Sequence, residues 1–143
     1  MFIDVPTQYK INDKRTIKEL SDQTFSNFKK TEVLKSLEKA IISSSIEESC
    51  YWTCELVISF QFTSLWSKIF SLYLRYINTE NPELIDKIFL RYVFFLKISD
   101  NYKNLNELRN NQNIRHYFTE IVCILCKSKK KKYYLLKKLV KIN

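Results

Sequence analysis

Apolar residues recur along this chain at intervals of three and four and rarely alternate, so the pattern predicts helices and no convincing strand. Val33, Leu34, Leu37, Ala40 and Ile41 share one helical face, with Lys35, Glu38 and Lys39 on the wet side. Ser43, Ser44 and Ser45 end that helix. Ser45 and Glu48 are spaced as a capping box for the next one, whose residues Cys50, Tyr51, Trp52, Cys54, Leu56, Val57 and Ile58 are apolar nearly all round. A helix without a polar face belongs at the centre of a fold. Phe60 and Gln61 break the pattern, and Thr63 is the expected N-cap of a helix with two adjacent apolar rows. One row is Leu65, Ile69, Leu72 and Tyr76; the other is Trp66, Phe70, Tyr73 and Ile77. A connection this short predicts an antiparallel hairpin over Ile46 to Ile77 on which the other helices lean.

The flanking pattern is weaker at the start and clear at the end. Residues 1–15 have no period and are expected to form an arm. Thr16 with Glu19 forms a further capping box, for a short helix over Ile17 to Leu20. Asn81 as N-cap and Pro82 at the first helical position start a helix that buries Leu84, Ile85, Ile88, Phe89, Tyr92, Phe95 and Leu96. Ser99 to Asn104 is a polar loop, and Asn104 with Glu107 has capping-box spacing. Ile114, Tyr117, Phe118, Ile121, Val122 and Leu125 then give the cleanest amphipathic helix. Beyond it, Leu135, Leu136, Leu139 and Val140 alternate with Lys137, Lys138 and Lys141 as a short basic amphipathic helix. The expected fold is all-α, a bundle or short α-solenoid of five or six helices: an arm at 1–15, a helical domain at 16–126 and a basic tail at 127–143.

Composition narrows the function classes. With 45% hydrophobic and 15% aromatic residues the 143-residue chain supports one globular core rather than a disordered segment. It contains no glycine, only Pro6 and Pro82 as prolines and only Ala40 as alanine, amid abundant Lys, Asn, Ile, Phe and Tyr, the bias of an AT-rich coding sequence. Without glycine, a Walker loop, a dinucleotide fingerprint and a nucleophile elbow are not expected. No leader pattern and no apolar run of membrane-spanning length is present, so the expectation is an intracellular protein without a transmembrane segment and with reduced cysteines.

Charge singles out one end. The formal net charge is +9, yet eight lysines and no acid fall between Lys127 and Asn143, leaving +1 for everything before them. Lys127, Lys129, Lys130, Lys131, Lys132, Lys137, Lys138 and Lys141 are therefore the candidate nucleic-acid-binding residues, suited to sequence-independent, salt-sensitive contact with phosphates. An anionic membrane surface or an acidic protein suits the same composition, and so does a solvating terminus or a frameshifted lysine run.

Other candidate chemistry is incomplete. Cys50 and Cys54 lie one turn apart, and Cys123 with Cys126 forms C-x-x-C, so two pairs could make a zinc site if their helices met; the plainer reading is four small core residues. His116 is the single histidine, with Glu120 one turn on, and reads as a solvated position. Glu47, Glu48, Glu55 and Asp86 lack the Glu-x-x-His pattern of di-iron bundles. The aromatic rows could stack on bases but have the spacing of a core. Arg75, Arg91, Arg109 and Arg115 are spread along the body. No catalytic residue, metal, cofactor or small-molecule substrate is expected.

Three stretches, EESCYWTCELV, NTENPEL and ELRNNQNIRHYFTEIVCILCKSKKK, give a resemblance over roughly Lys14 to Lys132. They resemble the N-terminal part of a helical protein family of large nucleocytoplasmic DNA viruses of protists and algae. In that pattern a glycine follows the serine at the hairpin break, where this sequence has Phe60, and the family's chains continue past the lysine run. The resemblance implies a viral source, host cytoplasm or virion, and a divergent or truncated copy; it carries over no site residues. The expected function is a non-catalytic interaction or scaffold module whose tail contacts nucleic acid. The alternative is an assembly protein whose amphipathic tail docks a partner helix or an anionic membrane surface.

Overall fold

The periodic faces fold as helices and bury. In the computed structural model, which describes residues 5–131, five α-helices form an all-α bundle: α1 (Lys30–Ile42), α2 (Ile46–Ile58), α3 (Phe62–Leu72), α4 (Leu84–Asp100) and α5 (Gln112–Lys127). α3 continues into a π-helical turn, Tyr73–Ile77, and a 3-10 segment, Leu105–Asn110, precedes α5. Among the described residues no strand forms; Gln23 and Lys29 make one isolated antiparallel bridge. No helix among them is long and apolar enough to cross a membrane.

α2 is the central helix, but its partners differ from the expected hairpin. It packs chiefly on α1 and α5 and less on α3. The reason is on its inner face, where Ser49 and Thr53 are buried and small enough to let α5 come close. Their hydroxyls do not stay bare: Thr53 donates to the Ser49 carbonyl at 2.7 Å, and Ser49 accepts from the Cys126 thiol at 3.1 Å. Leu37 of α1, Leu56 of α2 and Leu125 of α5 are completely buried in this layer. Each such leucine contributes about 2 kcal/mol of apolar burial. The second layer is aromatic. Trp66 of α3 sits 4.7 Å from Phe118 of α5, and Phe95 of α4 lies 5.8 Å from both rings.

Both tight joints between helices use left-handed residues, without glycine. At the end of α1, Ser44 has φ 59°, Ser45 N–H bonds to the Ala40 carbonyl at 2.8 Å and Ser44 N–H to Ile41 at 3.0 Å. At the end of α2, Phe60 has φ 61°, Gln61 N–H bonds to Leu56 at 2.9 Å and Phe60 N–H to Val57 at 3.2 Å. This is the Schellman pattern twice over. An L-residue in that region costs roughly 1–2 kcal/mol, and at Phe60 the surroundings supply it. The ring is buried, and the Arg109 guanidinium lies 4.4 Å above it while donating to the Ile58 carbonyl at 3.0 Å, at the negative end of α2.

Several predicted starts move. Ser45 ends the α1 motif, and its hydroxyl lies 3.0 Å from that of Ser43 with no cap bond to α2, so the Glu48 capping box does not form. α3 starts one residue before Thr63, capped by Gln61, whose own side chain turns away to the Leu20 carbonyl at 2.7 Å. α4 begins at Leu84 rather than Pro82, because the Asn81 and Pro82 carbonyls accept from the Tyr73 hydroxyl at 2.9 and 3.1 Å and hold that stretch as a turn. Asn104 accepts from Asn106 N–H and opens only the 3-10 segment; the N-cap of α5 is Asn111, which accepts from Ile114 N–H at 3.0 Å. Thr16 and Glu19 do bond, at 3.2 Å from Glu19 N–H to the hydroxyl, yet Ile17 to Leu20 stay a turn.

From Val5 onward the N-terminal stretch lies on the body. Val5 N–H bonds to the Asn110 carbonyl at 2.9 Å, Ile11 N–H to the Asn110 side chain at 2.8 Å, and the Asp13 carbonyl accepts from Arg109 at 2.7 Å. Further along, Ser26 donates its N–H and hydroxyl to buried Glu55 of α2 at 2.7 and 2.8 Å. These residues thus seal the outer side of α2.

Candidate functional site

The basic end begins where α5 stops. Four of its eight candidate lysines fall among the described residues: Lys127, Lys129, Lys130 and Lys131; Lys132, Lys137, Lys138 and Lys141 lie outside them. Lys127, Lys129 and Lys131 are exposed. Lys129 makes one loose ion pair, 3.8 Å from Glu80 with its side chain 82% exposed, which solvent screens almost completely. Lys131 is anchored by its backbone, through an N–H to the Tyr76 carbonyl at 2.7 Å, and its side chain is left outside.

Lys130 differs. Its ammonium turns back onto the end of α5 and donates to the Cys126 and Ser128 carbonyls at 2.8 and 2.9 Å and to the Ser44 hydroxyl at 3.0 Å. It satisfies carbonyls that the helix end leaves free, at the negative pole of the dipole. Burial pushes its pKa below the ordinary lysine range. This lysine serves the fold, and one candidate contact is thereby taken from the basic face.

All five arginines are also turned to structural use. Arg15 binds Asp13 and the Phe25 carbonyl; its side-chain and backbone hydrogen bonds hold the Asp13 carboxyl at about 2. Arg75 joins Lys68 on Glu38, and Arg91 joins Lys87 on Glu120. Arg109 clamps Ile58, Asp13 and Phe60, while Arg115 donates to the Arg109 and Tyr9 carbonyls at 2.7 and 3.1 Å. Apart from Arg75, whose side chain is 46% exposed, the positive charge open to solvent therefore comes mainly from lysines.

The cysteines partly meet. Cys50 of α2 and Cys123 of α5 face each other with sulfurs 3.7 Å apart, Cys126 is buried against Ser49, and Cys54 is at the surface, so the four are not all core residues. Burial, and then the neighbouring Cys123 thiol, push Cys50 up to about 12, which keeps it a neutral thiol at physiological pH. Among the described residues no three metal-ligating side chains converge. Cys54 borders a mostly apolar cavity of about 190 Å³ with Ile11, Val57 and Arg115, and loss of solvent raises its thiol against a smaller downward pull from Arg115.

His116 is exposed, with Nε2 3.7 Å from Glu120, a carboxylate already shared by Lys87 and Arg91. Glu47 and Glu48 are exposed at the start of α2, Glu55 is bound to Ser26, and Asp86 stands exposed on α4; these carboxylates form no cluster. The aromatic rows are largely buried or half-buried, but Tyr51 is exposed on α2, and a groove of about 460 Å³ between α3 and α4 has walls that include Trp66, Phe70, Phe89 and Leu96. Compared with known protein families, curated proteins and solved structures, the chain matches none.

Proposed function

We infer that this chain is a non-catalytic helical interaction module whose basic C-terminal end holds the phosphate backbone of nucleic acid without reading its sequence. The observation that carries this reading is the division of labour among the cations. The arginines, which grip phosphate and bases in two-pronged fashion, are engaged by carboxylates and backbone carbonyls of the fold, while the sequence from Lys127 onward holds eight lysines and no acid, of which Lys127, Lys129 and Lys131 are exposed. Lysine point charges give affinity through counterion release and little base discrimination. The resemblance of the three sequence stretches to a family of large DNA viruses supports placing the module in such a virus.

The test is a chain cut after Lys131, which keeps the Lys130 cap and the Lys131 bond to Tyr76. Helicity should persist, while affinity for random duplex DNA in low salt falls and the slope of log K against log salt drops by about 0.9 for each phosphate contact removed. In the full chain, Lys130→Ala should lower thermal stability by about 1 kcal/mol and barely change DNA affinity, whereas Lys129→Ala should do the reverse. Unchanged DNA binding by the cut chain would sink the reading, and a tail-dependent oligomer would turn it toward docking of the tail on a partner helix.

A further inference from the structure

α4 is the least covered of the five helices. Its buried side is the narrow row Leu84, Ile88 and Phe95. Diametrically opposite, at helical offsets 0, 4, 7 and 11, stand Asp86, Leu90, Val93 and Lys97. Asp86, Leu90 and Lys97 are exposed and Val93 half-buried; on one flank Phe89 and Leu96 are 55% and 41% exposed. Single exposed leucines are ordinary, but an apolar seam with a charge at each end on one 17-residue helix is a helix-packing surface.

We propose that this face of α4 pairs two copies of the chain in an antiparallel, two-fold dimer. The argument for a second copy rests on the order of residues in the seam. Read forward it is acid, leucine, valine, lysine; read backward it is lysine, valine, leucine, acid, at the same spacings. Turning a second α4 end for end therefore lays Asp86 against the other copy's Lys97 and Leu90 against its Val93, each twice, as an isologous interface requires. A parallel arrangement would instead set Asp86 on Asp86 and Lys97 on Lys97. Among the described residues neither Asp86 nor Lys97 is engaged in an ion pair, whereas Lys87 and Arg91 on the adjoining flank are held by Glu120. Among the described residues the seam's two charges are thus unpaired, and the seam is charge-complementary to itself.

The experiment is sedimentation equilibrium of the full chain across concentrations up to about 100 µM, in moderate salt, with circular dichroism to confirm that each variant stays helical. The natural chain should self-associate. Lys97→Glu sets glutamate against Asp86 at both ends and should weaken the dimer at least about tenfold. Asp86→Lys in the same chain restores opposite charges, reversed, and should bring association back to within about threefold of the natural value. A natural chain that stays monomeric overturns the proposal. So does a dimer indifferent to Lys97→Glu, or one that the second substitution fails to rescue. Cutting the chain after Lys131 should leave this association intact, which separates it from the role assigned to the tail.

Discussion

α2 and α4 look alike in sequence and live differently in the fold. Both are rich in apolar residues on nearly every side. α2 lies between α1 and α5, yet its buried positions include Ser49, Thr53 and Glu55, and it exposes Tyr51 and Cys54. α4 buries three apolar side chains and leaves Phe89, Leu90 and Leu96 outside. Apolar content did not decide which helix is central. Small hydroxyl-bearing residues did, because they permit close approach of neighbours and are bonded where they stand, Thr53 to the Ser49 carbonyl and Ser49 to the Cys126 thiol of α5. A helix with bulky residues all round packs by one stripe and keeps the rest for something else.

The contrast is sharpest under alanine substitution. Leu56 of α2 is completely buried, so Leu56→Ala should destabilise the chain by about 2–5 kcal/mol in urea unfolding. Leu90→Ala on the outer face of α4 should change the unfolding free energy of dilute protein by under about 0.5 kcal/mol. It should matter only where thermal stability rises with concentration, as dimerisation requires. A large loss from Leu90→Ala in dilute protein would mean that α4 is covered within one chain, and the comparison would collapse.

The joint after α2 offers an intermediate effect. Phe60→Gly relieves roughly 1–2 kcal/mol of left-handed strain and removes a buried aromatic worth about 3–5 kcal/mol. The net expectation is a loss of about 2 kcal/mol in thermal or urea unfolding. A gain in stability would show that the ring and its Arg109 partner contribute little, and that α2 is held by its faces alone.

The all-α class and most buried faces were legible because helical periodicity is a local signal that burial enforces. Val33, Leu37, Ala40 and Ile41 are buried as a set, and so are Ile114, Phe118, Ile121, Val122 and Leu125. Caps were less legible, since a serine or asparagine has several acceptors within reach and tertiary partners choose among them. Ser45 joined the preceding helix's terminus, and Asn111 rather than Asn104 capped α5. Positive φ was hidden for another reason. The chain lacks the residue that usually marks it, yet Asn27, Ser44 and Phe60 adopt it. For the basic end, composition identified the lysines, but nothing in a lysine run says which member folds back. Lys130 is distinguished only by the Cys126 and Ser128 carbonyls and the Ser44 hydroxyl around it.

Acid should separate the two helices by the smallest of these effects. Glu120 on α5 holds the flank of α4 through Lys87 and Arg91, with His116 on its other side. Burial works to raise the Glu120 carboxyl, but hydrogen bonds from Arg91 and Lys87 outweigh it and keep it below the ordinary 4.5. A carboxylate lowered in the folded state adds stability that is full above its unfolded value and drains as pH falls through its folded value. Glu38, where the upward push of burial is outweighed by hydrogen bonds from Arg75 and Lys68, and Asp13, held at about 2 by Arg15, act in the same direction. Stability should thus be flat from pH 7 to about 5 and fall below about 4.5. Glu120→Gln should lower stability at pH 7 by about 0.5 kcal/mol, since both partners are partly exposed, and make the acid loss shallower by the same amount. Amide exchange at pH 3, taken relative to its intrinsic rate, should then quicken in α4 before α2, because α4 is tied to α5 through the Glu120 carboxylate, whereas α2, beside the Glu55 bond to Ser26, is fixed mainly by packing on α1 and α5. Equal quickening in both helices would show that α4 is no less firmly held than the centre.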